Sequence, residues 1–267
     1  MSMLKRYGPW ALIAGASEGT GSSFARKVAA QGFDCILIAR REGPLQELAE
    51  ELRAGHDIEC VTASIDLAAA DAAEQMAAAA GNREVGLFIF NAGADPNGAR
   101  FLDTELAAWD ELVARNVVTV MRSCHHFGGR MRERGQGGII LVGSGACYGG
   151  LAGIAVYTGT KAFDLCFGEG LWAELHPHGV DVLNLIMRST DTPAHRQVMA
   201  KRGEAMPAGL ASADDVAQIG LERLPYGPVH NWALDDDEKG YAGWSAAERR
   251  QRILTIGAAA AAGSKRK

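Results

Sequence analysis

The chain has 267 residues, a formal net charge of -5 from 27 basic and 32 acidic side chains, and 48% hydrophobic residues, enough to bury one large core without a second domain. Acidic balance without a basic stripe interleaved with aromatics excludes a nucleic-acid surface, and the basic Ser264-Lys265-Arg266-Lys267 reads as a solvated tail. Cys35, Cys60, Cys124, Cys147 and Cys166 are odd in number and lack CxxC spacing, which argues against a disulfide framework or zinc site and for a reducing, cytoplasmic setting.

Met1 to Pro9 is short and polar, so no signal peptide is expected. The first strand is "WALIAG", followed by a glycine turn and a helix over 21–31; "CILIAR" is the second strand, ahead of a helix over 43–54. "IECVTAS" and "GLFIFNAG" flank a helix over 67–80. A long helix over 104–134 includes Cys124-His125-His126, whose adjacent side chains point apart on a helix and suit no metal. "GGIILVGSG" then leads through a glycine-rich segment to a helix over 158–175, and "VDVLNLIM" is the sixth strand. Six continuous apolar runs alternating with amphipathic segments imply strands buried on both faces, hence a doubly wound parallel sheet in a single α/β domain over 1–267.

Residues 188–210 carry Met199 and Met206 and read either as an adaptable apolar lid over a substrate or as a helix packed on the core. "SADDVAQIGLERL" places Ser212 three residues before Asp215, an N-terminal cap for a helix that stops before Pro225. From 226 to 267 the pattern is atypical: an ordered loop without a convincing strand, then a final helix over "SAAERRQRILTIGAAAA". No run of about 18 to 20 apolar residues is present, so the protein is expected to be soluble, without a membrane partner.

The first strand runs into "AGASEGTG", where Gly15, Gly19 and Gly21 precede a helix, with Ser17 and Thr20 between and beside them. Glycines let a pyrophosphate approach the main chain, and a helix N-terminus presents free N–H groups to it. An NAD-binding site needs an acid at the end of the second strand; this chain has Ala39-Arg40-Arg41, whose guanidiniums suit a ribose 2'-phosphate. NADP(H) is therefore expected over NAD(H), with Glu18 in the turn as the opposing charge.

Two tyrosines stand in "SGACYGGLAGIAVYTGTK", and only Tyr157 has a lysine four residues on. Tyr157 and Lys161 at that spacing share a helix face, so the ammonium favours ionisation of the phenol, whose usual pKa is about 10, and equips it as a general acid/base. Tyr148 reads either as a substrate wall or as a packing aromatic.

These motifs, in this order, resemble the short-chain dehydrogenase/reductase family over roughly residues 8 to 225. "AGASEGTG" matches its cofactor turn, Asp66 its adenine-contacting acid, and "FNAG", with Asn91 and Gly93, its N-N-A-G. Asn116, Ser144, Tyr157 and Lys161 fall at the positions of its catalytic tetrad. The resemblance implies that Lys161 also holds the nicotinamide ribose, that Ser144 binds the substrate oxygen, and that Asn116 anchors a proton-relay water. It further implies contacts from Thr190 and Thr192 to the nicotinamide carboxamide, although Met187-Arg188 replaces the usual Pro-Gly, and a homodimer or homotetramer. The expected activity is hydride transfer between NADP(H) and an apolar or aromatic carbonyl or alcohol. The alternatives are an NAD-dependent alcohol dehydrogenase of the same fold and a non-catalytic nucleotide sensor or scaffold.

Overall fold

The computed structural model describes residues 2–187, 189–203, 205–231 and 250–251. Its sheet is built from β1 (Trp10–Ala14), β2 (Asp34–Ala39), β3 (Cys60–Ser64), β4 (Val85–Phe90), β5 (Gly137–Ser144), β6 (Val180–Met187) and β9 (Val229–Asn231), in the order β3-β2-β1-β4-β5-β6-β9, with every pairing parallel. A separate two-stranded ladder joins β7 (Thr190–Asp191) to β8 (Ala211–Ser212). The helices are α1 (Met3–Tyr7), α2 (Gly19–Ala29), α3 (Glu42–Gly55), α4 (Ala72–Ala80), α5 (Leu106–Val113), α6 (Thr119–Arg134), α7 (Ala155–Leu175), α8 (Pro193–Arg202) and α9 (Ala213–Arg223).

Every residue of β1 and β4 is buried, as continuous apolar runs require when helices cover both faces. Alternation along the strands divides the core. Ile13, Leu37 and Ile89 pack with Phe24, Leu45, Leu52 and Val216 on one face, whereas Leu12, Ile36 and Phe88 pack with Phe127, Met131 and Trp172 on the other. Each large side chain withdrawn from water contributes roughly 1.5–3 kcal/mol, so the two layers fix the sheet on which the site is built. The strand order reverses between β1 and β4, and their carboxyl ends open a crevice of the kind that binds ligands in doubly wound sheets.

The boundaries that differ from expectation have local causes. The helix expected from 67 begins at Ala72, because the Asp66 carboxylate accepts from Ala68 N at 3.0 Å and ties residues 66–69 into a turn. The helix expected over 104–134 is broken by a π-turn at Ala114–Val118, between α5 and α6. Ser212 Oγ does accept from Asp215 N, at 3.0 Å, capping α9.

The short strands β7, β8 and β9 and the N-terminal helix α1 were not among the expected elements. Val229–Asn231 is a strand because β6 offers it a partner, Asn184 facing Val229 and Ile186 facing Asn231. The N-terminal α1 is held by long-range contacts: Tyr7 Oη donates to buried Asp181 Oδ2 at 2.6 Å, and Arg6 pairs with the same oxygen. Arg188 and most of the expected C-terminal helix lie outside the described residues.

Candidate active site

The glycine turn sits at the carboxyl end of β1, where α2 begins. Gly15 has φ +87°, and a Cβ on Gly21 would lie 1.9 Å from Gly15 O, so neither tolerates a side chain. Asn91 Nδ2 donates to Gly15 O at 3.1 Å and locks the turn from the end of β4. Glu18 is the N-cap residue of α2 without a side-chain cap bond, leaving first-turn N–H groups for an anion. Thr20 Oγ1 is buried with no hydrogen-bond partner among the described residues. A close main-chain cradle, an uncapped helix start and an orphaned hydroxyl fit a dinucleotide pyrophosphate. Ser17 is half-buried in the same turn.

At the end of β2, Arg40 and Arg41 are both exposed. The sequence placed them together, but their situations differ. Arg41 forms an ion pair with Glu18, whereas the Arg40 side chain makes no ion pair among the described residues. Arg115, half-buried and pulled below the usual arginine value by burial and by Arg40, donates to Ala94 O at 2.9 Å. It adds positive charge that the sequence reading did not consider. Asp66 is exposed beside this group.

The four residues at the expected tetrad positions come from three elements. Asn116 lies in the π-turn with no exposed surface; its Nδ2 donates to Gly93 O at 3.2 Å and to Thr160 Oγ1 at 3.1 Å, and its Oδ1 accepts from Arg115 Nε at 3.2 Å. Both amide hydrogens are thus committed to the protein, and the residue offers a relay water an acceptor but no donor. Ser144 ends β5, and its Oγ accepts from Ala146 N at 3.2 Å, which leaves its own O–H free to donate. Tyr157 is half-buried on the first turn of α7, and Lys161 is buried one turn on.

Lys161 Nζ donates to Val142 O and to Asp164 Oδ2, both at 3.1 Å. Burial alone pulls this lysine down, but Asp164 and Tyr157 outweigh it and hold the ammonium above the usual lysine value. Gly93, at φ +143°, makes the space: a Cβ there would come within 2.9 Å of Lys161 Nζ. Asp164 escaped the sequence reading, although its position three residues after Lys161 on the same helix was the signal.

On the far side, Thr190 is buried and its carbonyl lies 3.0 Å from His195 Nδ1. Thr192 caps α8 by accepting from His195 N at 3.2 Å, and its methyl group would lie 3.0 Å from a Cβ on Gly19. The α8 start therefore packs directly on the glycine turn. No residue of 193–200 is buried, so this helix is not a core helix, and Met199 and Met206 are half-buried. The β7–β8 ladder clips both ends of the excursion together. Tyr148 donates its hydroxyl to Asn231 Oδ1 and packs beside Cys147, Leu165, Ile186 and Val229.

Among the described residues, no helix is long and apolar enough to cross a membrane, and no group of three His, Cys, Asp or Glu is placed to hold a metal.

Comparison with known proteins agrees with this geometry. A 7beta-hydroxysteroid dehydrogenase of Clostridium sardiniense is 30% identical over 227 residues, covering 84% of this chain and 85% of its own. A short-chain dehydrogenase from Sphingobium yanoikuyae, solved with NADPH, superposes with TM-score 0.80 at 25% identity over 93% of this chain and 96% of its own. A bulky-bulky ketone specific alcohol dehydrogenase from Comamonas testosteroni gives TM-score 0.78 at 25% identity, with 94% of each chain covered. The pattern of the short chain dehydrogenase family matches residues 9–203, and the chain belongs to that family as an NAD(P)-dependent oxidoreductase of carbonyl and alcohol groups.

Proposed function

We propose that the protein reduces a bulky apolar or aromatic carbonyl compound with NADP(H), using Tyr157 as proton donor. The observation that carries this reading is the buried, charged Lys161 one helical turn from Tyr157, with Ser144 at the neighbouring strand end. When bound, the nicotinamide supplies the hydride that reaches the carbonyl carbon. Tyr157 gives its phenolic proton to the carbonyl oxygen, and the Ser144 O–H hydrogen-bonds that oxygen as charge develops on it. The third N–H of Lys161, left after Val142 O and Asp164, is available to the nicotinamide ribose. Thr190 and Thr192 stand where the resemblance puts carboxamide contacts, and Asn116 holds the π-turn against Gly93 and α7.

Three features support NADP(H). No acid ends β2, Arg40 is unpaired among the described residues, and Arg41 neutralises Glu18, the one carboxylate in the turn. The relative solved with NADPH points the same way. Support for a bulky apolar substrate comes from half-buried Met199 and Met206 on an excursion clipped by the β7–β8 ladder, a lid of adaptable side chains. The names of the steroid and bulky-ketone relatives agree with it.

The test is a panel of ketones and aldehydes of graded size, offered with NADPH and with NADH while the absorbance of the reduced nucleotide is followed. Turnover favouring large apolar carbonyls with NADPH is expected. Preference for small polar carbonyls, or for NADH, would overturn the respective half of the reading.

A further inference from the structure

Asp164 is a buried acid that the proton transfer just described does not use. It is 4% exposed on α7, its Oδ2 lies 3.1 Å from Lys161 Nζ, and its Oδ1 has no hydrogen-bond partner among the described residues. A carboxylate in such surroundings costs free energy unless an opposite charge meets it, and Lys161 is that charge. We propose that Asp164 is a positioning residue that holds the Lys161 ammonium charged and fixed before the nucleotide arrives, and thereby sets the pH at which carbonyl reduction fails on the alkaline side. This rests on the reading of Tyr157 and Lys161 as the proton-transfer pair.

The geometry divides the ammonium's three N–H groups. Val142 O, on β5, fixes one from the sheet and Asp164 a second from the helix, so the direction of the third is determined without any ligand. The charge balance follows from the groups that face the pair. On α7, Asp164 and Tyr157 favour the ammonium; from the π-turn, Arg115 opposes it; burial opposes it as well. On α6, Cys124 faces Asp164 and is pushed well above the usual thiol value by burial and by that carboxylate, so it stays neutral. Among the described residues, Asp164 is thus the carboxylate that holds the charge on Lys161, and its own carboxyl is pushed up by burial against the pull of Lys161.

The sign is fixed. Removing the negative charge makes the ammonium easier to deprotonate, so Lys161 loses its proton, and with it the charge offered to the nicotinamide ribose, at lower pH, and reduction falls off on the alkaline side at lower pH. An opposite charge at this range shifts a titration by about 1–3 pH units.

The test compares wild type, Asp164→Asn and Asp164→Val. Asn keeps the shape and an acceptor for Lys161 but not the charge; Val removes both. The first readout is the pH profile of NADPH-dependent reduction. The second uses the protein without nucleotide: titration of the Lys161 side-chain resonance in 13C-lysine-labelled protein, assigned by its loss in Lys161→Ala. Both variants are expected to move the alkaline limb and the Lys161 titration down by about 1–3 pH units, with Val also weakening NADPH binding. If Asp164→Asn is folded by circular dichroism and leaves the Lys161 titration in place, the proposal is overturned, since a merely structural acid would affect melting but not that titration. Should Asp164→Val fail to fold, the Asn variant carries the test. A wild type that reduces no carbonyl compound would sink the proposed function instead, while the nucleotide-free titration still decides the role of Asp164.

Discussion

Tyr157 and Tyr148 differ in what their hydroxyls meet. Tyr148 donates to Asn231, whereas Tyr157 stands one turn before a buried ammonium. Tyr157→Phe is expected to lower turnover about 100- to 10,000-fold, the usual contribution of general acid catalysis, with nucleotide affinity nearly unchanged. Tyr148→Phe should retain most activity; steady-state kinetics on both would show equal losses if the assignment were wrong. The two arginines also separate at this scale. Arg41 is occupied by Glu18, so Arg40→Ala should weaken NADPH binding roughly 10- to 100-fold, the equivalent of one charge-assisted hydrogen bond, and leave NADH binding unchanged. Glu18→Gln should shift NADPH affinity the other way by releasing Arg41. Calorimetry with both nucleotides reads all three effects, and equal weakening of NADPH and NADH in Arg40→Ala would mean that this arginine is a surface charge.

At the scale of elements, the segment between β7 and β8 is the informative one. Its helix α8 begins with Thr192 and Pro193 against the glycine turn yet buries none of residues 193–200. A lid attached in this way should influence the substrate more than the fold. Replacing Met199 and Met206 with alanine is therefore expected to reorder the carbonyl preference while changing the melting temperature little. Core truncation of methionine to alanine costs about 2–5 kcal/mol, so a large drop in melting temperature with unchanged substrate ranking would show that these side chains are packing instead.

For the whole molecule, Asp181 joins the N-terminal helix to the sixth strand. It receives hydrogen bonds from Arg6 and Tyr7 and lies 3.4 Å from His176, tying α1 to β6. Burial, and next the hydrogen bond to Asp181, hold the Tyr7 phenol far above its usual value of 10.0. Because the folded protein binds this proton more tightly than the unfolded chain, the stabilisation is fully present below pH 10 and declines as pH rises from there toward the folded value. Tyr7→Phe should destabilise by about 1.5–3 kcal/mol at neutral pH, through the lost hydrogen bond to a charged carboxylate that Arg6 still pairs, and should flatten the fall in stability above pH 10. Denaturant titrations across pH would test it; parallel slopes in wild type and variant would remove Tyr7 from the account.

The sequence alone determined the parallel sheet and the shared helix face of Tyr157 and Lys161, because strand burial and helix spacing repeat at fixed local intervals, and it showed the glycine turn by its place after the first strand; Asn116 and Ser144 were legible only through the resemblance to the family's motifs. It also showed two arginines where an NAD enzyme needs an acid. Only the tertiary structure separated Arg40 from Arg41, since Glu18 lies 23 residues from its partner. It alone made a strand of Val229–Asn231, which has no pattern of its own and exists through β6. Asp164 is the sharpest case. Its spacing from Lys161 was written in the helix, but whether that pair would be a solvated surface contact or a buried one depended on the sheet, the π-turn and α6 closing around it. Periodicity records which side chains share a face; desolvation, which decides what a charge there does, is a property of everything packed against that face.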